Sequence, residues 1–335
     1  MNLTSFLHGY ETPQIIELSP NFYAAQFRLM KLLPAHYILD RAEENKLIKA
    51  GGDIVETSSG TFALALAMLS AVRGYHLTIV SSTSLMDRGF KTRLEQLGTA
   101  VRLVEDPGGT GNQEGRLSEL HRVLEDKPDT FWPKQYDNPD NPAAYSRLAE
   151  VIVDRLGQVD CLVGCVGSGG SLCGATRYLR RVYPQLRAIA VDTNNSVLFG
   201  QKAGPRLLRG LGNSIVPENL DHCLVDDVHW VGALQAFAET RRLYRKCALY
   251  VGPTSGAAAL VGSWYAKKTP NKKIVAIMAD EGYRYQPTVY ADKWLKNLPG
   301  WPTVIKLEPT QITEVKSEGE EAWTYMNWAR RKMHS

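Results

Sequence analysis

The sequence predicts an α/β protein with two open, mostly parallel sheets flanked by helices. Three observations carry this reading. Short apolar runs alternate with helical patterns, and repeated strand–helix units impose parallel pairing with helices on both faces of the sheet. Three of the runs end in turns rich in glycine and hydroxyls that open a helix, and in parallel sheets ligands lie beyond the carboxyl ends of the strands. A stretch dense in turn formers, Asp137-Asn138-Pro139-Asp140-Asn141-Pro142, divides the alternation and marks a break between two sheets.

In chain order, strands are expected over residues 54–56, 77–81, 100–104, 131–136, 161–166, 188–192, 248–251 and 274–279. Each is a short apolar run bounded by polar or turn-forming residues. Helical patterns over 34–48, 61–72, 87–97, 116–124, 143–156, 172–182 and 255–267 lie between many of them. The tail after Pro299 leaves this alternation. Its apolar stripe of Trp323, Met326 and Trp328 predicts a helix over 320–332 that meets the core or a dimer partner.

The chain of 335 residues is long enough for one large or two ordinary domains, and 44% apolar with 22% charged residues is a globular composition. A net charge of +4 without a basic face argues against nucleic acid; the densest basic group, Arg177, Arg180, Arg181 and Arg187, reads as a solvated helix face. No run approaches the ~18 apolar residues of a membrane span. Nor does the N-terminus show a basic region followed by an apolar core, so a cytoplasmic protein without a membrane partner is expected. The five cysteines are odd in number and sit in apolar contexts, as core thiols do in a reducing compartment. Cys161 and Cys165 have no histidine near them, and no metal site is expected.

The chemistry concentrates in the turns. Gly167-Ser168-Gly169-Gly170-Ser171 stands between an apolar strand and a helix. Glycines there let the backbone approach an anion, and the free N–H groups of the helix start point at it. Thr57-Ser58-Ser59-Gly60-Thr61 and Gly252-Pro253-Thr254-Ser255-Gly256 repeat the arrangement. Each alone is also an ordinary helix cap; three together suggest convergence on one cleft. Lys31 sits between Leu29-Met30 and Leu32-Leu33. Most lysines are solvated, but an apolar setting lowers the pKa and makes the amine nucleophilic, as Schiff-base chemistry requires.

These residues resemble the fold-type II pyridoxal-phosphate enzymes of the cysteine synthase group, whose fold is like that of the tryptophan synthase β chain. The resemblance runs in order from about Thr12 to Leu295. It is carried by 42–44 with 54–60, by Gln135 with the Asn138-Pro139 and Asn141-Pro142 pairs, by the turns at 167–171 and 252–256, and by 280–285. A narrower resemblance, in 190–200, 225–227 and 290–295, is to members that make a 2,3-diaminopropionate precursor for siderophores.

The resemblance implies pyridoxal 5'-phosphate as cofactor and Lys31 as the residue that holds it and moves the α-proton. Gly167, Ser168, Gly169, Gly170 and Ser171 would hold its phosphate. Thr254 would meet the pyridine nitrogen, and Thr61 stands where the family places an asparagine beside the 3'-oxygen. Ser58, Ser59, Gly60 and Gln135 would bind the substrate carboxylate. The implied reaction is β-replacement on O-phosphoserine or O-acetylserine through an aminoacrylate, with an amine such as glutamate adding at Cβ. Sulfide is the alternative nucleophile. Arg28, Arg88, Arg206 and Arg284 are candidate partners for a substrate phosphate.

A homodimer is implied, with residues 1–31 and 146–299 in a larger cofactor domain, 32–145 in a smaller mobile domain and 300–335 as an extension. The chain departs from the group in lacking an Asn-Pro loop before Lys31, in placing Leu32-Leu33 where Asp-Arg is usual, and in Thr61-Phe62. These departures leave open a different chemistry or a scaffold that has lost catalysis. A nucleotide-binding oxidoreductase, with Asp192 after the next strand, is the rival from another class.

Overall fold

A computed structural model describes residues 3–109 and 111–332. The chain opens with α1 (Leu3–Glu11), β1 (Gln14–Ser19), β2 (Phe22–Gln26), α2 (Leu32–Glu44), β3 (Asp53–Thr57), α3 (Thr61–Arg73), β4 (His76–Ser82), α4 (Arg88–Gln96) and β5 (Ala100–Val104). Then come α5 (Gln113–Asp126), α6 (Asp140–Ala144), α7 (Ser146–Leu156), β6 (Cys161–Cys165), α8 (Gly170–Val182), β7 (Arg187–Asp192) and β8 (Asp227–Val231). It ends with α9 (Ala233–Cys247), α10 (Pro253–Lys268), β9 (Ile274–Met278), α11 (Asp292–Lys296), β10 (Thr310–Gln311) and β11 (Trp323–Asn327).

The strands form two sheets, as the alternation of patterns implies. The larger has the order β1-β2-β9-β6-β7-β8-β11-β10, and the smaller has β3-β4-β5. From β2 to β8 every pairing is parallel, with Phe22 and Cys161 flanking Ile274 on either side. The three strands of the small sheet are also parallel. The central strands β8 and β9 are buried at every position, as strands covered on both faces must be. One face of the large sheet packs on α7 and α8 through Leu148, Ile152, Leu172 and Leu179. The other packs on α9 and α10 through Phe237, Leu260 and Val261. The small sheet has its own core with α2 and α3, built on Ile38, Leu39, Phe62 and Leu66.

Several local expectations change. Residues 131–136 and 248–251 contribute only isolated bridges, Phe131 with Ile54 and Val251 with Glu281. Pro133 cannot donate to a ladder, and Ala248 stands in the left-handed region at φ 56° as the cap of α9. The helix expected over 320–332 is instead β11, antiparallel to β8 with Trp323 opposite Val231. The run Trp-Thr-Tyr-Met-Asn favours strand, and it covers what would be a bare edge of the large sheet. Trp323, Met326 and Trp328 are buried in the chain's own core. No helix among the described residues is long and apolar enough to cross a membrane.

Candidate active site

Lys31 owes its position to the leucines around it. Phe27 N–H donates to Met278 O (2.9 Å) and Met30 N–H to Ala279 O (2.8 Å), so the segment leaving β2 still tracks β9. Leu29 and Leu32 then enter the core of the small sheet, whereas Met30 and Leu33 enter the core of the large one. The unusual Leu32-Leu33 pair therefore anchors the start of α2 in both cores. Lys31 remains between them, and its Nζ donates to Ser168 Oγ at 3.3 Å. Burial lowers its pKa to about 8, and no carboxylate offsets that effect.

Ser168 belongs to the turn that joins β6 to α8. Gly169 is left-handed at φ 80°, and a Cβ there would lie 2.6 Å from Leu220 Cα. At position 170 a Cβ would overlap the amide of Asn141. The glycines are thus required by the close approach of neighbouring chain as well as by the turn. The N-cap Gly169 has no side chain to cap α8, so N–H groups of the first turn after Gly170 remain available to an anion. Ser168 Oγ also accepts from Gly170 N–H (3.4 Å) and from Asn141 Nδ2 (3.3 Å).

The turn carrying Thr254 joins the same end of the sheet. Gly252 N–H donates to Asp280 O (3.1 Å), and Cys165 Sγ donates to Thr254 O (3.1 Å). The Thr254 side chain is buried, and Ser255 Oγ beside it is buried without a partner among the described residues. A loop after β7 closes over both turns. Gly212 N–H donates to Val166 O (2.8 Å), and Asn213 Nδ2 donates to Gly167 O (3.4 Å).

The loop after β3 approaches from the small sheet. Ser58 Oγ is already committed, accepting from Gly60 N–H (3.4 Å) and Ala63 N–H (3.2 Å) at the start of α3. Ser59 Oγ shares a hydrogen bond with Ser81 Oγ at 2.7 Å. Thr61 opens α3 and is half-buried. Gln135 is pinned through its backbone. Its N–H donates to Glu56 Oε2 (3.2 Å), and its carbonyl accepts from Asn219 Nδ2 (3.1 Å) and from Asn141 Nδ2. Asn141 therefore ties Gln135 to Ser168. Arg284 Nη2 donates to Ser59 O at 2.6 Å from beyond β9. Beside this group lies a cavity of about 50 Å3, lined in part by Leu29, Thr61, Asp280 and Arg284.

Reasoning from sequence assigned no role to Asn141, Glu56, Arg116 or Tyr136. Asn141 lay within a flagged Asn-Pro pair, but its role as a bridge depends on contacts distant in sequence. Glu56 is buried inside a strand, and burial raises its pKa to about 7 although Thr57 N–H (2.8 Å), Gln135 N–H and Trp132 Nε1 (3.3 Å) all donate to it. Arg116 is buried on α5. Its Nε donates to Gly111 O (2.8 Å), its charge acts on Tyr136, and Tyr136 hydrogen-bonds Asn213 beside the glycine turn. Of the four arginines proposed for a phosphate, Arg28 pairs with Glu281 at 3.5 Å, Arg206 donates to Asn195 O, Arg88 is exposed, and Arg284 holds Ser59.

The residue set fits pyridoxal phosphate. Its phosphate requires an anion cradle without side-chain bulk, which Gly169 and Gly170 keep open. Its aldehyde requires a primary amine without an ion-pair partner, which Lys31 supplies. The buried, unpartnered Ser255 Oγ leaves hydrogen-bonding capacity beside Thr254.

Comparison with known proteins gives an independent line. Residues 29–280 match the family described as "Pyridoxal-phosphate dependent enzyme". An N-(2-amino-2-carboxyethyl)-L-glutamate synthase of Ralstonia nicotianae is 35% identical over 269 residues, covering 79% of each chain. One of Cupriavidus metallidurans is 31% identical over 296 residues, covering 84% of this chain and 86% of its own. Among solved structures, O-acetyl serine sulfhydrylase isoform 3 of Entamoeba histolytica superposes with a TM-score of 0.78 at 26% identity, covering 85% of this chain and 90% of its own. The O-acetylserine dependent cystathionine beta-synthase of Helicobacter pylori gives 0.79 at 25% identity, covering 87% and 100%.

Proposed function

The chain belongs to the pyridoxal-phosphate dependent enzymes, and from that premise we propose that it joins the amino group of an amino acid, glutamate foremost, to Cβ of an activated serine. The observation that carries the proposal is the amine of Lys31, which donates to Ser168 in the glycine turn at 3.3 Å and has no ion-pair partner among the described residues. The printed names of the two curated relatives support glutamate as the nucleophile. Membership of this family sets aside the dinucleotide reading.

Lys31 would hold the cofactor's aldehyde carbon, Gly167 to Ser171 its phosphate, and Thr254 and Thr61 its ring. When bound, pyridoxal phosphate withdraws electrons from the α-carbon of the amino acid attached to it. Lys31 then takes the α-proton, and its lowered pKa supplies the neutral amine this needs near neutral pH. Ser58, Ser59, Gly60 and Gln135 orient the substrate carboxylate. Because the Ser58 hydroxyl is occupied as a cap, the loop serves through N–H groups at the start of α3. Departure of the group on Cβ breaks the Cβ–O bond. The second amino acid's neutral amine forms the new Cβ–N bond, and the α-proton returns.

For the leaving group we favour phosphate, because the Tyr136 hydroxyl meets Asn213 beside the glycine turn and the buried Arg116 acts on Tyr136. We further propose a smaller lobe over 32–145 that closes on a larger one formed by 1–31 and 146–299, to which the tail expected as an extension over 300–335 adds β10 and β11. A homodimer in the cytoplasm, supplying a 2,3-diaminopropionate precursor for siderophore assembly, completes the reading. The five unpaired cysteines support a reducing compartment. Phosphate release from O-phosphoserine by the reconstituted enzyme tests the reading. Release that rises with added glutamate and is lost in Lys31→Ala supports it; release indifferent to Lys31 overturns it.

A further inference from the structure

We propose that Arg209 and Arg284 together recognise the distal carboxylate of the second, attacking substrate, so that the enzyme selects an acidic amino acid as nucleophile. This rests on the β-replacement reading above and names the residues that would choose its second substrate.

The two arginines reach the mouth of the site from the large-sheet side, and both cross to the small-sheet side. Arg209 lies in the loop between β7 and β8, immediately before Gly210. A Cβ on Gly210 (φ 93°) would stand 3.1 Å from Thr254 Cγ2 and 3.9 Å from the Tyr285 hydroxyl, so the loop borders the Thr254 turn. Arg209 Nη2 donates to Ser84 O at 2.9 Å. Arg284 donates to Ser59 O at 2.6 Å, and its guanidinium lies 4.3 Å above the Phe90 ring. Each thus spends a donor on a backbone carbonyl, and neither forms an ion pair among the described residues.

Carboxylates act on both arginines, but among the described residues none comes within ion-pair distance of either. Asp87 acts on Arg209, but its carboxylate already caps α4 by accepting from Phe90 N–H at 2.9 Å. Glu281 is paired with Arg28. Asp280 acts on Arg284 from within the protein; it is buried, its Oδ2 accepts from the Tyr285 hydroxyl at 3.0 Å, and its Oδ1 has no partner among the described residues. Arg209 and Arg284 also bear on each other as like charges; partial burial first, and then that repulsion, lower the Arg209 pKa. A carboxylate placed between them offsets that repulsion and meets two guanidinium groups that form no ion pair among the described residues. Sulfide or a neutral amino acid supplies no such group, and a site built for a charged partner discriminates against analogues that lack it.

The test uses the holoenzyme with glutarate and butyrate as probes, which differ by one carboxylate, and titration calorimetry as the readout. Glutarate is expected to bind at least tenfold tighter than butyrate. R209Q should remove that preference, and R209K, which keeps charge and a donor for Ser84, should restore most of it. In turnover with O-phosphoserine, R209Q should raise KM for glutamate at least tenfold more than KM for alanine. Equal binding of the two probes to the unaltered enzyme overturns the proposal, as does a glutarate preference that survives R209Q. The two readings fail separately. An Arg209-dependent glutarate preference in an enzyme that makes no glutamate adduct leaves the anion site standing and overturns the parent reaction. Normal adduct formation with an unchanged KM for glutamate in R209Q does the reverse.

Discussion

Lys31 was legible in the sequence because four apolar neighbours around a lysine are unusual. Why those neighbours are there was not, because the cores that receive Leu29 with Leu32 and Met30 with Leu33 assemble from distant segments. The lowered pKa has a direct consequence. At pH 7 a lysine of pKa about 8 is roughly one-tenth neutral, whereas one near 10.4 is neutral only to about one part in 2,500. The neutral amine is the form that captures the cofactor. Capture of pyridoxal phosphate by the apo-protein should therefore quicken as pH rises towards about 8 and level off above it, followed by absorbance. A rate still climbing nearly tenfold per unit around pH 9 would show an ordinary lysine. Lys31→Ala should abolish the absorbance of bound cofactor. Asn141 marks the other limit at this scale: nothing local distinguishes it from Asn138, and only the fold sets it between Gln135 and Ser168.

The three hydroxyl-rich glycine turns were visible because their chemistry is local, and two of them follow strands as expected, whereas the Thr254 turn follows only the isolated bridge of Val251 with Glu281. The structure orders them, with the Ser168 and Thr254 turns at adjacent strands β6 and β9 and the Ser59 turn opposite on the small sheet. It also gives Gly169 a second reason, the backbone at Leu220. Gly169→Ala places a Cβ at positive φ against that backbone, which should cost about 1–3 kcal/mol. It should also weaken cofactor affinity at least tenfold, measured by melting temperature and by cofactor titration. Melting and affinity unchanged from the parent would show that the turn has slack. The tail shows how periodicity misleads. Trp323, Met326 and Trp328 read as one helical stripe, but along the extended tail Trp323 enters the core on one face of the large sheet while Met326 and Trp328 enter the core on the other, and only the edge of β8 decides between the two patterns.

For the whole molecule, two parallel sheets were predictable from alternating patterns, whereas their strand order was not. The N-terminal hairpin β1-β2 inserts beside β9, and the last strands extend the far side past β8. The tail is thus part of the large sheet's core. Trp323 is fully buried, and its Nε1 donates to His229 Nδ1 at 3.2 Å. Trp323→Ala should destabilise the protein by about 3–5 kcal/mol, seen as a lower melting temperature, without changing the nucleophile preference; a change below about 0.5 kcal/mol would mean the tail is dispensable. The central claim concerns what this architecture makes: an activated serine joined at Cβ to the nitrogen of glutamate, with Lys31 as the base. It is tested most directly by giving the reconstituted enzyme O-phosphoserine with glutamate and sulfide at equal concentration and identifying the products by mass. The account predicts the glutamate adduct as the main product, absent in Lys31→Ala. Cysteine as the main product, or no product from either nucleophile, would contradict it.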